Sequence, residues 1–175
     1  MESERLRFAP PSLQHQPLML AAIIESQLEL SQFLPWVSSA LTEQESVASM
    51  KQAIDDFANY QNELRFSLFE KESDEFIGAI GLFIRDKSVP YFEIGYWLRT
   101  AYVGHGYITE AVNTIEHHTF VELDAERIEI RTDVNNDKSR AVAIRCGYQF
   151  EGIHYCDHRL PNGDLSDTAV YAKTR

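Results

Sequence analysis

Two glycines, Gly104 and Gly106, lie where a stretch with strand character gives way to one with helix character. From Tyr91 to Leu98, aromatic and branched residues alternate as in a buried strand, and from Ile108 onward the apolar residues recur at helical spacing. The first N–H groups of a helix lack intrahelical partners and lie at the positive end of its dipole. Glycines there let the backbone approach an anion closely. The pattern predicts an anion-binding loop, although two glycines also suit a simple turn.

Two well-known nucleotide-binding loops do not fit this stretch. The chain contains no G-x-x-x-x-G-K-[ST] motif, so no lysine is placed for a triphosphate. A dinucleotide fingerprint needs a third glycine three residues after the second, and that position is Thr109. If this stretch binds a phosphate, it does so with a different kind of loop.

The hydrophobic pattern predicts the elements that position this loop. Strands are expected at 4–8, 64–69, 76–84, 91–98, 128–134, 148–155 and 168–173. Strands 64–69 and 76–84 should form one hairpin, and strands 148–155 and 168–173 another. Helices are expected at 18–28, after Thr42, from Ile108, and over 139–146, and Glu45 gives Thr42 a capping-box partner. The strand-helix-strand crossover around the loop should be right-handed and parallel. The sequence predicts one α/β domain covering residues 1–175.

Composition narrows the class of protein. The formal net charge of -11 argues against a nucleic-acid surface and is compatible with a cationic amine substrate, although it also serves solubility. No apolar run approaches ~20 residues and no charged-then-apolar leader opens the chain, so we expect a cytoplasmic protein without membrane insertion. Cys146 and Cys156 lack metal-ligand spacing, and we expect free thiols and no metal site.

Several segments, taken in order, resemble the GNAT superfamily of N-acetyltransferases, and within it the RimJ/RimL-type ribosomal-protein N-terminal acetyltransferases. The loop pattern of that superfamily is Gln or Arg, two residues, Gly, any residue, then Gly or Ala. Gly104 and Gly106 match it, whereas Ala101 departs from it at the first position. Because the loop of this superfamily binds the pyrophosphate mainly through backbone N–H groups, this departure weakens the resemblance more than it weakens the proposed anion binding. The other matching segments are 3–7, 93–98, 107–111, 135–142, 147–148, 151–152, 162–164, 167 and 171–172.

The resemblance implies a GNAT fold. This is a mixed, mostly antiparallel twisted sheet with helices on both faces and a central parallel strand pair splayed to hold CoA. It also implies direct acetyl transfer from acetyl-CoA to an amine in a ternary complex, with both cysteines uninvolved. By position, the N–H of Leu98 would bind the thioester oxygen, a type of contact worth roughly 3 kcal/mol in other acyl transfers. The implied CoA-binding residues are Trp97, Leu98, Val103, Gly104, His105, Gly106, Tyr107, Ile108, Thr109, Asn136 and Ser139.

An attacking amine must be neutral, so a base or a water chain has to take its proton. His158 is the preferred base because it lies in the last hairpin, near the position at which the RimL-type enzymes carry a glutamate. The ordinary pKa of a histidine, ~6.5, also suits a base at neutral pH. The segment 152–162 differs in length by one residue from that group, which leaves Asp157 as an alternative. Glu93 occupies a strand position where many GNAT enzymes carry a carboxylate, but a salt-bridged strand residue is equally typical there. A water chain without a dominant side chain stays open.

Ser139 matches the serine of the group's Asn-x-x-Ser segment, so the resemblance assigns it as the proton donor to the leaving CoA thiolate. The alternative is that Ser139 is the N-cap of the helix it precedes, a role that its Asn-Asp-Lys-Ser context favours by itself.

Three functions are compatible with this sequence. The first is acetylation of a protein N-terminal amine, with a ribosomal protein as the acceptor that the resemblance implies; the second is acetylation of a small amine such as an aminoglycoside or polyamine. The third is a catalytically silent acyl-CoA-binding module, against which Glu93, Asn136, Ser139 and His158 argue. Phe33 and Trp36 either line a substrate mouth or pack a corner between helices. A homodimer is left open.

Overall fold

The computed structural model describes residues 1–175, and seven strands form one sheet. The strands are β1 (Leu6–Ala9), β2 (Glu63–Glu70), β3 (Phe76–Asp86), β4 (Tyr91–Leu98), β5 (Arg127–Asp133), β6 (Gln149–Arg159) and β7 (Leu165–Thr174). Their spatial order is β1-β2-β3-β4-β5-β7-β6, and every neighbouring pair is antiparallel except β4 and β5. The mixed, mostly antiparallel sheet with a central parallel pair is therefore confirmed.

Five α-helices cover the two faces of the sheet: α1 (Gln16–Glu25), α2 (Gln27–Leu30), α3 (Glu43–Asn59), α4 (Tyr107–Val121) and α5 (Asp137–Arg145). One apolar cluster joins the sheet to α4 and α5, and a second joins it to α1 and α3. None of the helices is long and apolar enough to cross a membrane.

The predicted capping box starts α3 as expected. The Oγ1 of Thr42 accepts a hydrogen bond from the N–H of Glu45 at 3.2 Å, and a Glu45 carboxylate oxygen accepts one from the N–H of Thr42 at 3.3 Å. The prediction for α5 was wrong by two residues. Asn136 is the N-cap, and its Oδ1 accepts from the N–H of Ser139 at 3.1 Å. Ser139 therefore lies inside the first turn, and the N-cap interpretation of its hydroxyl is wrong.

The parallel pair opens soon after it begins. Only Tyr91–Glu93 of β4 pair with Arg127–Glu129 of β5, whereas β4 stays paired with β3 as far as Leu98. The N–H of Arg99 donates to the carbonyl of Ile77 on the β3 side at 2.8 Å. Because successive residues of an extended chain point their N–H groups in opposite directions, the N–H of Leu98 points into the gap. The splayed pair implied by the resemblance is present.

Candidate active site

A cleft of about 2180 Å³ runs through this gap and continues on both faces of β4. Sites for one small ligand usually measure ~300–1,000 Å³, so this cleft has room for a long cofactor together with an acceptor. Its lining includes nearly all the residues that the sequence singled out: Glu93, Trp97, Leu98, Val103, Gly104, Gly106, Tyr107, Ile108, Thr109, Asn136, Ser139 and His158. Of the CoA-binding residues that the resemblance implies, only His105 is absent from the lining.

The glycine loop joins β4 to α4 and meets the requirements of an anion site. Gly104 and Gly106 have φ angles of 92° and 81°, in the left-handed region that favours glycine. A Cβ at Gly104 would have no neighbour within 4 Å, so open space lies in front of this backbone. Gly106 is the N-cap of α4 and has no side chain to cap the helix. The first N–H groups of α4 are therefore left for a ligand.

At the start of α5, Asn136 and Ser139 face the same cleft. The Oδ1 of Asn136 is used in the cap, which leaves its Nδ2 as the free donor. The Oγ of Ser139 lies 2.9 Å from the hydroxyl of Tyr96, and burial raises the pKa of Tyr96 to about 12. Sequence reasoning missed Tyr96, although strand alternation places it on the same face of β4 as Leu98.

Glu93 lies on the opposite face of β4 from Tyr96, as their odd separation in the strand requires. Its side chain is 12% exposed, and one carboxylate oxygen accepts from Arg85 Nη2 at 2.7 Å and from Arg85 Nε at 3.0 Å. The carboxylate lines the cleft as expected, but it is ion-paired there.

His158 lies in the cleft between two carboxylates. Its Nε2 is 3.1 Å from Asp133 Oδ2, and its Nδ1 is 3.2 Å from both Asp157 Oδ1 and Thr168 Oγ1. The Asp133 side chain is only 2% exposed, so it fixes the orientation of the ring. Burial opposes ionisation of Asp157, but contacts with Thr168, His158 and Arg131 leave its pKa below the ordinary value. His158, the base preferred from the sequence, is thus in direct contact with Asp157, its alternative.

A bulge in the last hairpin brings these groups into the cleft. The β6–β7 register shifts between His154 and His158, and Cys156 within this segment has a φ of 50°. Extra residues in one strand re-aim the side chains that follow.

Aromatic side chains form a wall of the cleft on the Glu93 face. Trp36 and Trp97 lie with ring centroids 6.1 Å apart at 57°, and Trp36 is 39% exposed. Phe33 lies in the same lining. Trp36 packs against a strand residue and not between two helices, and the substrate mouth expected at Phe33 and Trp36 stays a prediction.

Residues 5–149 match the acetyltransferase (GNAT) domain family. The chain belongs to this family. Its N-acetyltransferase relatives include the uncharacterized N-acetyltransferase p20 of Bacillus licheniformis, 30% identical over 131 residues, which are 75% of this chain and 73% of p20. A second is the ribosomal-protein-serine acetyltransferase of Escherichia coli K12, 27% identical over 98% of this chain and 93% of that protein. The RimJ/RimL-type resemblance is confirmed.

A solved structure with the same fold is that of the microcin C7 self immunity acetyltransferase MccE in complex with acetyl-CoA and AMP. It superimposes with a TM-score of 0.91 at 25% identity, and the match covers 98% of this chain and 93% of that one. The protein is thus a GNAT acetyltransferase, and acetyl-CoA is its acetyl donor.

The cleft fits acetyl-CoA, which supplies an acetyl group activated as a thioester. The uncapped start of α4 behind Gly104 and Gly106 suits the pyrophosphate. The N–H of Leu98 at the open edge of β4 suits the thioester oxygen, and the free Nδ2 of Asn136 suits an amide of the pantetheine arm. The backbone N–H groups that face the gap thus match the phosphate and carbonyl oxygens of acetyl-CoA.

Proposed function

We propose that this GNAT enzyme acetylates the N-terminal α-amine of a protein. In this proposal, acetyl-CoA occupies the Tyr96 face of β4 and the acceptor chain enters along the Trp36 and Trp97 wall. The amine attacks the acetyl group directly, without an acyl-enzyme. The E. coli relative named as a ribosomal-protein-serine acetyltransferase supports a protein acceptor, because the similarity spans 98% of this chain.

The observation that carries the choice of acceptor is that four of the six carboxylates lining the cleft are already held by close contacts, whereas Glu29 has no basic partner and the exposed Asp137 lies 3.9 Å from Arg140. Glu93 is bound by Arg85 and Glu63 by Arg65, with contacts of 2.7 and 2.6 Å. Asp133 and Asp157 both contact His158. A polyamine or an aminoglycoside carries several positive charges and requires several unpaired carboxylates in its site. A peptide N-terminus brings one amine and a less charged chain, which suits this lining better.

In the proposed reaction, His158 takes the proton of the amine and Ser139 donates one to the leaving thiolate. The Asp133 carboxylate at Nε2 orients the imidazole, and Nδ1 exchanges the proton once the amine replaces its contacts with Asp157 and Thr168. Glu93 and a water chain are the competing acceptors, and Glu93 is less suited because Arg85 occupies its carboxylate. The two cysteines are free thiols, which agrees with the cytoplasmic location that is part of this proposal.

A second candidate acceptor is a small amine that carries a planar ring. The similar MccE structure is a complex with acetyl-CoA and AMP, and in this chain the tilted pair of Trp36 and Trp97 offers aromatic faces for a flat group. The silent acyl-CoA-binding alternative predicts no transfer to any acceptor.

An acceptor panel distinguishes these functions. Purified enzyme and acetyl-CoA would be given short peptides with free N-termini, the same peptides with blocked N-termini, spermidine, an aminoglycoside and an aminoacyl nucleotide analogue. Initial rates of CoA release and product masses are measured. We expect turnover only with the free N-termini. Faster turnover of the nucleotide analogue would favour the second candidate, and no turnover at all would favour the silent module.

A further inference from the structure

A short segment before β1 folds against the back of the glycine loop. The N–H of Ser3 donates to the carbonyl of Leu6 at 2.9 Å, and Glu2 forms a β-bridge with Arg7. This turn carries Arg5 to the start of α4, although about a hundred residues separate the two in the chain.

Arg5 contacts the loop and the helix through several groups. Its Nη1 donates to the carbonyl of His105 at 3.0 Å, and its Nε donates to Glu110 at 2.7 Å. The guanidinium lies 4.5 Å from the centroid of the Tyr107 ring. Its Nη2 is 3.6 Å from the position of a Cβ on Gly106. One side chain thus touches both the proposed pyrophosphate loop and the helix that follows it.

The loop has few other supports. Val103, Gly104, His105 and Gly106 are all exposed, and two of the four are glycines with positive φ. Residue Ala101 has no side chain that could bind the loop or an anion. A glycine-rich segment loses much conformational entropy when it is ordered, so a contact that orders it in advance improves binding.

Glu110 gives Arg5 a second role. It lies in the first turn of α4, where its negative charge would repel a pyrophosphate bound at the helix start. Although burial opposes ionisation, hydrogen bonds from Ser3 and Arg5 hold the pKa of Glu110 below its ordinary value, so the carboxylate is charged at neutral pH. The guanidinium compensates this charge within hydrogen-bond distance.

We propose that Arg5 is a positioning residue for acetyl-CoA: it holds the backbone of the pyrophosphate loop and neutralises Glu110 behind it. Arg5 is not part of the cleft lining, so it acts through the loop from behind. The proposal rests on the acetyl-CoA site of the family and is independent of the acceptor. Its tests therefore use CoA binding without any acceptor.

The first test is calorimetric titration of CoA into the Arg5→Ala variant. Charge-assisted hydrogen bonds of this kind are worth about a factor of 10 to 100 in an equilibrium constant, and we expect a Kd raised by that factor. Arg7→Ala is the matched control, because Arg7 stacks on Phe69 at 4.3 Å and ion-pairs with Asp74, away from the loop. Equal CoA affinity in the wild type and a folded Arg5→Ala variant would overturn the proposal.

A truncated ligand tests whether the effect acts on the pyrophosphate. Acetyl-pantetheine has the thioester arm without the nucleotide, and competition against a fluorescent CoA analogue gives its affinity. We expect Arg5→Ala to leave the affinity for acetyl-pantetheine unchanged while the affinity for CoA falls. An equal loss for both ligands would indicate general damage to the fold and would contradict the proposal.

The Glu110→Gln variant tests the electrostatic role, and it remains informative if Arg5→Ala does not fold. The neutral amide would keep one oxygen for the Ser3 hydroxyl and the backbone N–H of Arg5, but it would lose the oxygen that accepts from Arg5 Nε. Because the guanidinium charge is then uncompensated and the negative charge behind the pyrophosphate is gone, CoA should bind as well as before or more tightly. The double variant Arg5→Ala/Glu110→Gln should bind CoA several-fold more tightly than Arg5→Ala alone. Weaker binding in Glu110→Gln than in the wild type would overturn the electrostatic role.

Discussion

The hydroxyl oxygen of Tyr96 lies 2.9 Å from the Oγ of Ser139 and 3.3 Å from the backbone oxygen of the same residue. Tyr96 stays protonated at neutral pH because burial raises its pKa to about 12. While its proton points to the Ser139 carbonyl, the serine hydroxyl can donate to Tyr96. Once Ser139 donates elsewhere, the Tyr96 proton can move to Ser139 Oγ. Ser139, the proposed proton donor to the leaving thiolate, thus has the Tyr96 hydroxyl as a second donor that can support it.

We therefore expect Ser139→Ala and Tyr96→Phe to lower kcat to different extents. Loss of a general acid typically costs ~100 to 10,000-fold, whereas loss of one supporting hydrogen bond costs about tenfold. Rapid-quench measurement of the transfer step would show both effects. Tyr155→Phe is the control, because Tyr155 is 75% exposed. Full activity in Ser139→Ala would remove Ser139 from the mechanism.

The identity of the base is tested by two substitutions. If His158 takes the amine proton, His158→Ala should lower kcat by ~100 to 10,000-fold while Glu93→Gln is mild. The rate should be compared for two acceptors of different pKa, since an α-amine titrates near ~7.7 to 8 and a lysine near ~10.4. The reverse pattern would assign the role to Glu93. If both variants stay active and the rate follows only the pKa of the acceptor, a water chain takes the proton.

Gly106→Val should weaken CoA binding strongly. The φ of 81° disfavours any β-branched residue, and the added side chain would stand at the uncapped start of α4. Gly163→Val is a matched control, because Gly163 has a φ of 90° in the distant β6–β7 turn. Calorimetry should show lost CoA affinity only in Gly106→Val. Equal CoA affinity in the two folded variants would contradict the placement of the pyrophosphate.

Direct transfer predicts that neither cysteine is needed. Burial, helped by Glu116, raises the pKa of the Cys146 thiol to about 11, so it is not a nucleophile at neutral pH. The Cys146→Ala/Cys156→Ala variant should keep its turnover, and iodoacetamide at pH 8 should label only the exposed Cys156 in the native protein. An acetylated cysteine trapped by mass spectrometry would contradict direct transfer.

The same thiol predicts a dependence of stability on pH. Because its folded pKa of about 11 exceeds the reference of 9.0, the stability it contributes is present below pH 9.0 and is lost as the pH rises to about 11. The free energy of unfolding, measured with urea between pH 8 and 11, should therefore change in parallel in the wild type and in Cys146→Ala below pH 9.0, and should fall more steeply in the wild type between pH 9.0 and about 11. Curves that stay parallel over the whole range would show that this thiol has no shifted pKa.

Local patterns in the sequence predicted where most elements lie, although the single helix expected at 18–28 is two helices, α1 and α2. Alternation gave β4 its bounds at Tyr91 and Leu98, and the spacing of Thr42 and Glu45 predicted the start of α3. The start of α5 was misplaced because Asn136 and Ser139 are both good N-cap residues, and propensity alone does not choose between them.

The site was harder to predict wherever it depends on pairs distant in the sequence. The contacts of Arg5 with Glu110, of Tyr96 with Ser139, and of His158 with Asp133 join different elements. No periodicity encodes such pairs, since they follow from the order of strands and from the bulge in β6. The glycine loop was predicted because it is contiguous, whereas its support by Arg5 was not.

The most direct test of N-terminal acetylation uses one peptide with a free α-amine and an internal lysine. The peptide is incubated with the enzyme and acetyl-CoA, and the acetylated nitrogen is located by fragmentation mass spectrometry. We predict acetyl groups on the α-amine alone, at a rate that falls when Ser139 is replaced by alanine. Acetylation of the lysine side chain, or no acetylation of the peptide while a small amine is acetylated readily, would contradict the proposed function.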